Sequence, residues 1–180
     1  MTKIQLGFSS IEKYSIKLRF VEPEDAAFIL KLRTNEKLSR HISPTQNDLN
    51  SQIDWINLYK EREKLGLEYY FMTIGLEGQR FGTTRLSELD GDSFELGSWL
   101  FDPSTPPGVA IKADIITKEV GFDFLGFDYC TFNVRKLNKN VLKYHLGYKP
   151  QVLFEDDMNI FFKLNATSFK KHRDKLIKLL

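Results

Sequence analysis

One carboxylate and one glycine turn carry most of the chemical interest in this chain. Glu95 lies in a short, largely apolar run, DSFELGSWLF at 92–101, which reads as a strand. In a regular strand Glu95 shares a face with Gly97 and Trp99, while Phe94, Leu96 and Ser98 point the other way. A carboxylate beside a glycine, where bulk is missing, leaves room for a substrate, and there it is a candidate general base. The run continues through Thr105-Pro106-Pro107-Gly108-Val109-Ala110 into a helical pattern. The first N–H groups of that helix, on Gly108, Val109, Ala110 and Ile111, have no intrahelical partner and sit at its positive end, which suits an anion such as phosphate. Glycine at 108 allows close backbone approach, and Lys112 in the first turn adds positive charge. Arg33, Arg40 and His41 form a second basic group, fit to meet a phosphate at the mouth of a site.

Other chemistries find less support. His41, His145 and His172 are scattered with no metal-ligand spacing, so no metal is expected. The single Cys130 rules out an intrachain disulfide, and its strand context makes it a buried thiol. Acids and bases nearly balance, 24 against 26, so no strong field favours nucleic acid. The 15 phenylalanines fall on helix and strand periodicities, which is the pattern of a core. No long apolar run or cleavable leader is evident, so neither a membrane nor export is expected and the reading is cytoplasmic.

The elements that must position these residues follow in chain order. A strand at 16–21 leads to Glu22-Pro23-Glu24-Asp25, whose proline and acids open a helix with Phe28, Ile29 and Leu32 inward. Thr45 with Asp48 resembles a capping box for a second helix carrying Leu49, Ile53 and Ile56, which Gly66 ends. Residues 35–44, with Arg40 and His41, read as the loop between the two. Runs at 69–74, 80–86 and 94–101, parted by Glu77-Gly78 and Asp90-Gly91, predict an antiparallel meander. The helix after Gly108 places Ala113, Ile116, Val120 and Phe124 on one face and ends at Gly126. A strand at 129–134, a short helix at 138–146 closed by Gly147, a hairpin of 151–154 with 159–164, and an amphipathic tail helix at 167–180 complete the chain. The expectation is a single α/β (α+β) domain over 1–180, with one mixed, mostly antiparallel sheet covered by helices and a core over about 15–165.

That order of elements, with ELGSWLFDP, then TPPGVA and a helix, then NVRKLNKNVLKYHLGYKP, resembles the GCN5-related N-acetyltransferase superfamily, closest to its RimJ/RimL-like branch and to the acetyltransferases of nucleotide-linked amino sugars. The superfamily's turn begins with Gln or Arg, where Thr105 stands here. The resemblance implies acetyl-CoA as co-substrate and a splayed strand pair, 95–101 against 129–134. It also implies pantetheine pairing with the backbone of Trp99, Leu100 and Phe101, pyrophosphate on residues 108–111 with Lys112 near, and a contact from Asn138. Glu95 is then the base, directly or through a water. A tyrosine commonly lies seven residues after the asparagine and protonates the departing thiolate; here that count reaches His145, and Tyr144 is the alternative. The implied reaction is acetyl transfer to a primary amine in a ternary complex. The acceptor is a small molecule, with a nucleotide-linked amino sugar as first choice and Arg33, Arg40 and His41 at its phosphates. A protein N-terminus is the rival acceptor, and a non-catalytic acyl-CoA-binding protein the rival function. A homodimer through the apolar side of the tail helix is open.

Overall fold

The computed structural model describes residues 5–180. Its centre is one eight-stranded sheet in the order β1-β2-β3-β4-β5-β6-β8-β7. The strands are β1 Ser10–Lys13, β2 Ile16–Phe20, β3 Tyr69–Ile74, β4 Arg80–Asp90, β5 Ser93–Phe101, β6 Tyr129–Arg135, β7 Gln151–Glu155 and β8 Asn159–Asn165. Every neighbouring pair is antiparallel except β5 with β6. The helices are α1 Ala26–Thr34, α2 Glu36–Ser39, α3 Leu49–Lys64, α4 Val109–Glu119, α5 Lys139–Leu146 and α6 Ala166–Ile177.

β3 shows how the layers arise. Its run YYFMTI is buried on both faces, and alternation divides it. Tyr69 and Phe71 join the larger core with Ala113 and Ile116 of α4 and Phe169 of α6. Tyr70 and Met72 join a second core with Ile29 of α1 and Ile56 and Tyr59 of α3. Helices therefore cover both sides of the sheet. The start of α1 is fixed to the sheet by Asp25, fully buried, which accepts from both guanidinium nitrogens of Arg19 (2.7 and 2.8 Å) and from Arg80 (2.7 Å).

Four details differ from the sequence reading. β1 is an extra strand, joined to β2 by Tyr14 and Ser15, both with positive φ. The segment 35–44 contains α2, capped by the Asn35 side chain, which accepts from the Lys37 and Leu38 N–H groups. There is no capping box at Thr45. Asp48 is the N-cap of α3, and Thr45 instead accepts from Arg33 Nε at 2.7 Å. Lastly, Phe124 does not share the buried face of Ala113, Ile116 and Val120 but is 52 % exposed. The reason is a π turn over Val120–Phe124, closed by Leu125 N–H on Val120 C=O, which rotates the end of the helix by about one residue. Within that turn Gly121 is needed for packing, because a Cβ there would lie 2.3 Å from the ring of Phe94.

The tail helix α6 closes the domain. Phe169 is fully buried and stacks on Phe122 and Tyr148, while Leu176 and Ile177 pack against the same core. Among the described residues, no helix is long and apolar enough to cross a membrane.

Candidate functional site

β5 and β6 are bonded only at their beginnings, through the registers Ser93↔Tyr129, Phe94↔Cys130 and Glu95↔Thr131. Beyond Glu95 they part. On its other side β5 stays paired with β4 as far as Gly82↔Phe101, so the edge of residues 97–101 that faces β6 is without a strand partner. A cleft of about 1080 Å³ occupies the gap and opens towards both sides of the sheet.

A β-bulge sets which side chains line which half. Between Thr83↔Leu100 and Arg85↔Gly97, β5 has one residue more than β4, and Ser98 takes φ 50°. The bulge reverses the alternation. Before it, Phe94 packs on Gly121 in the π turn that continues α4; after it, Trp99 turns to α4 on the same side of the sheet and donates from Nε1 to Ala110 C=O at 2.9 Å. The expectation that Glu95, Gly97 and Trp99 share a face is therefore corrected: Glu95 and Gly97 lie on the face of α1 and α3, and Trp99 on the face of α4. A Cβ at Gly97 would meet nothing within 4 Å, so the space beside Glu95 is open.

Glu95 lines the cleft where the strands part and is partly buried. Burial raises its pKa above the usual carboxylate value, the Glu88 carboxylate adds to this, and Arg85 opposes it. Arg85 itself lines the cleft. Its Nε is buried without a partner, and its guanidinium lies 5.8 Å from the ring of Trp55 and 3.8 Å from Glu68. Arg33 and His41 line the same half, with Arg33 held by Thr45; Arg40 is exposed and lies outside the cleft lining.

At the α4 half, Trp99, Leu100, Phe101, Ala110, Asn138 and His145 line the cleft. Gly108 is the N-cap of α4 with φ 84°, a conformation that favours glycine, and no side chain caps the helix. The Val109 N–H is engaged by Pro106 C=O at 3.3 Å, which leaves the Gly108, Ala110 and Ile111 N–H groups at the helix's positive end. Of residues 108–112 only Ala110 lines the cleft; Val109 is buried in the core, and Leu180 packs over Gly108, 3.0 Å from where a Cβ would stand.

Tyr144 and His145 point to different places. The Tyr144 hydroxyl donates to Asp114 at 2.5 Å and shares a 2.9 Å bond with the Tyr148 hydroxyl. Asp114 in turn binds Lys118 at 2.5 Å, both fully buried, so Tyr144 belongs to an interior network. Burial and the Asp114 carboxylate raise its pKa well above the ordinary phenol value. His145 lines the cleft between Phe132 and Trp99, and its Nδ1 has no partner. Burial and the nearby Lys118 charge, against the pull of Asp114, lower its pKa to about 3, so the imidazole is neutral at pH 7. Asn138 caps α5 by accepting from Val141 N–H at 3.4 Å. Cys130 is fully buried and its thiol is pushed up by burial. No group of three or more His, Cys, Asp or Glu residues is placed to hold a metal among the described residues.

The sequence reading missed Trp55, Tyr70 and Arg85 on the α3 side and Arg135 and Asn159 at the rim of β6 and β8. Arg85 was legible in principle, as a charge at a position where alternation along β4 points inward with Thr83.

The mixed sheet thus splits beside a partly buried carboxylate, and Ala110 in the first turn of α4 reaches the lining of the split. Residues 15–146 match the family model described as the acetyltransferase (GNAT) domain, and the chain belongs to that family of acetyltransferase enzymes. A structure described as apo FdhC, a nucleotide-linked sugar GNAT, is 34% identical, with 96% of this chain and 97% of that one covered and a TM-score of 0.83. The ribosomal-protein-S5-alanine acetyltransferase of Vibrio fischeri (15% identity, 87% and 97% covered, TM-score 0.74) shares the fold. So does spermidine N-acetyltransferase of Vibrio cholerae, solved with CoA and spermine (15%, 88% and 99%, TM-score 0.73). A search of curated protein sequences returned no match.

Proposed function

We propose that this protein transfers the acetyl group of acetyl-CoA to the primary amine of a nucleotide-linked amino sugar. The observation that carries the reading is the position of Glu95 at the floor of the split, open on the acceptor side beside Gly97 and faced there by Arg85, Arg33 and Trp55. Two guanidinium groups and an indole suit a phosphate-bearing nucleotide better than a polyamine, which would seek carboxylates. The likeness to a nucleotide-linked sugar GNAT over 96% of the chain supports the same acceptor class.

The residues divide the work as follows. The Gly108, Ala110 and Ile111 N–H groups hold the pyrophosphate, with Lys112 adding charge nearby. The free edge of Trp99, Leu100 and Phe101 receives the pantetheine amides as an added strand. Most of a primary amine is protonated at pH 7, so a base is required. Glu95 takes the ammonium proton, directly or through a water, and the neutral nitrogen attacks the thioester carbonyl. A C–N bond forms, the C–S bond breaks as the tetrahedral intermediate collapses, and the thiolate leaves with the electron pair. The His145 ring, beside Trp99, donates a hydrogen bond to the departing sulfur, and the released amide proton reaches solvent or the thiolate.

The test is thiol release from acetyl-CoA over a panel of nucleotide-linked amino sugars, free amino sugars, spermidine and N-terminal peptides. Turnover with the nucleotide-linked sugars alone is expected. Preference for a peptide or spermidine would overturn the acceptor class while leaving the acyl donor in place.

A further inference from the structure

Arg33 and Arg85 stand on one wall of the acceptor half, and β6 forms the other. Past the split, alternation along β6 sends Phe132 and Val134 into the core shared with α4, and so turns Asn133 and Arg135 to the opposite face, the one on which Glu95 lies. Both line the cleft. This wall is therefore polar, although the strand that makes it is half core.

The charges of the cleft are one-sided. Four cationic side chains line it, Arg33, Lys37, Arg85 and Arg135, against the single carboxylate of Glu95. Arg135 is partly buried and forms no ion pair among the described residues, although acids lie close by in the turn after β7. Those acids are committed elsewhere. Glu155 is bridged by Lys136 at 2.9 Å, and Asp156 accepts from the Met158 and Asn159 N–H groups. The Arg135 Nη1 donates instead to the Met158 thioether at 2.8 Å, a weak acceptor, which leaves most donors of the guanidinium open to a ligand.

Position along the strand suggests which part of a ligand meets it. Glu95 pairs with Thr131, and Arg135 follows four residues on, about 13 Å further along β6. With both side chains reaching into the gap, a pyranose ring and its anomeric phosphate fill that span. We infer that Arg135 is a specificity-determining residue: it binds the acceptor's phosphate from the β6 wall, opposite Arg33 and Arg85, with Asn133 between it and Glu95 at the level of the sugar. The inference rests on the acceptor class proposed above. A guanidinium pairs its planar fork with two phosphate oxygens, so it fixes the anion's orientation as well as attracting it. The amine at the other end of the sugar is thereby brought to Glu95.

Arg135→Met tests this, because it keeps much of the aliphatic stem and removes the guanidinium at the last residue of a strand; circular dichroism checks that the fold is kept. Thiol release at saturating acetyl-CoA gives the constants for a nucleotide-linked amino sugar. Its KM is expected to rise roughly 10- to 100-fold, the worth of hydrogen bonds to a charged group, with kcat little changed. Uridine and thymidine diphosphates, used as competitive inhibitors, should weaken by the same factor. Arg135→Lys should recover part of the loss, since a point charge remains but the planar fork is gone. An unmoved KM in Arg135→Met, in a protein whose wild type turns over nucleotide-linked sugars, overturns the inference and leaves the acceptor class standing. A KM that rises while the diphosphates inhibit as before overturns the phosphate contact. A fall in kcat shared with a free amino sugar makes Arg135 a structural residue and overturns its role in specificity. A wild type that acetylates only phosphate-free amines and ignores both diphosphates overturns the acceptor class and this inference together.

Discussion

Replacing Glu95 by Gln keeps the size and planarity of the side chain and removes its basicity, so it isolates the proton-accepting role from the shape of the cleft. A positioned base contributes about 10²- to 10⁴-fold. The expected loss in kcat/KM for the amine is therefore at least about 10²-fold, or roughly 2.7 kcal/mol of barrier, with the coenzyme KM unaltered. The pH profile carries the sharper information. Burial first, and the Glu88 carboxylate second, raise the pKa of Glu95, while Arg85 lowers it. A raised pKa keeps the carboxyl protonated, and unable to accept, to a higher pH than an ordinary glutamate. The acid limb of kcat/KM should then lie above the usual carboxylate range. Glu88→Gln removes a raising charge and should move that limb to lower pH; Arg85→Gln removes a lowering charge and should move it to higher pH. Initial rates of thiol release across pH 4 to 9 measure all three. Near wild-type turnover in Glu95→Gln, or a limb that moves up in Glu88→Gln, would refute the reasoning.

The interior network under the cleft gives two further expectations. Tyr144→Phe removes a hydrogen bond to a buried carboxylate, worth about 1.5–3 kcal/mol, so the melting temperature should fall by roughly 3–12 °C while kcat stays within a few-fold of wild type. His145→Gln, at a buried ring packed against Phe132 and Trp99, should lower turnover well beyond the few-fold change of Tyr144→Phe; a large kcat loss in Tyr144→Phe alone would reverse the two roles. Asp114→Asn leaves Lys118 buried and unpaired, at about 3–5 kcal/mol, a fall of roughly 6–20 °C. Calorimetry on the single variant and on Asp114→Asn with Lys118→Met should show the double change recovering much of the loss. A single variant as stable as wild type would show that the pair contributes nothing.

Much of the sheet was legible because its strands are short apolar runs cut by glycine turns. β3 was expected at 69–74 and lies at Tyr69–Ile74, and β5 was expected within one residue of its start. What escaped was structure that leaves no periodic trace. β1, SIEK, is only partly buried and has little apolar content to repeat. α2 is a single turn held by one capping side chain. The π turn in the helix after Glu119 adds a residue without changing composition, so the expected position of Phe124 was displaced by it. Of the candidate site, the start of α4 was readable because a glycine turn announces it, and Gly108 is its N-cap. The α3 half depends on Trp55, Tyr70 and Arg85, which come from separate elements and meet only once the sheet has formed.

The bulge at Ser98 connects these observations. Glu95 lies on the face of α1 and α3, whereas Trp99 reaches Ala110 at the first turn of α4 and walls the opposite half with His145. In a regular strand residues 95 and 99 would project from one face, and a single strand could not serve both halves. One added residue, with Ser98 in a left-handed conformation that serine adopts at some cost, reverses the alternation between them. It also bends the strand away from its neighbour, and the pairing with β6 ends just before it, at Glu95↔Thr131. The same irregularity therefore accounts for the opening between the strands and for the placement of the carboxylate and the indole on opposite sides of it.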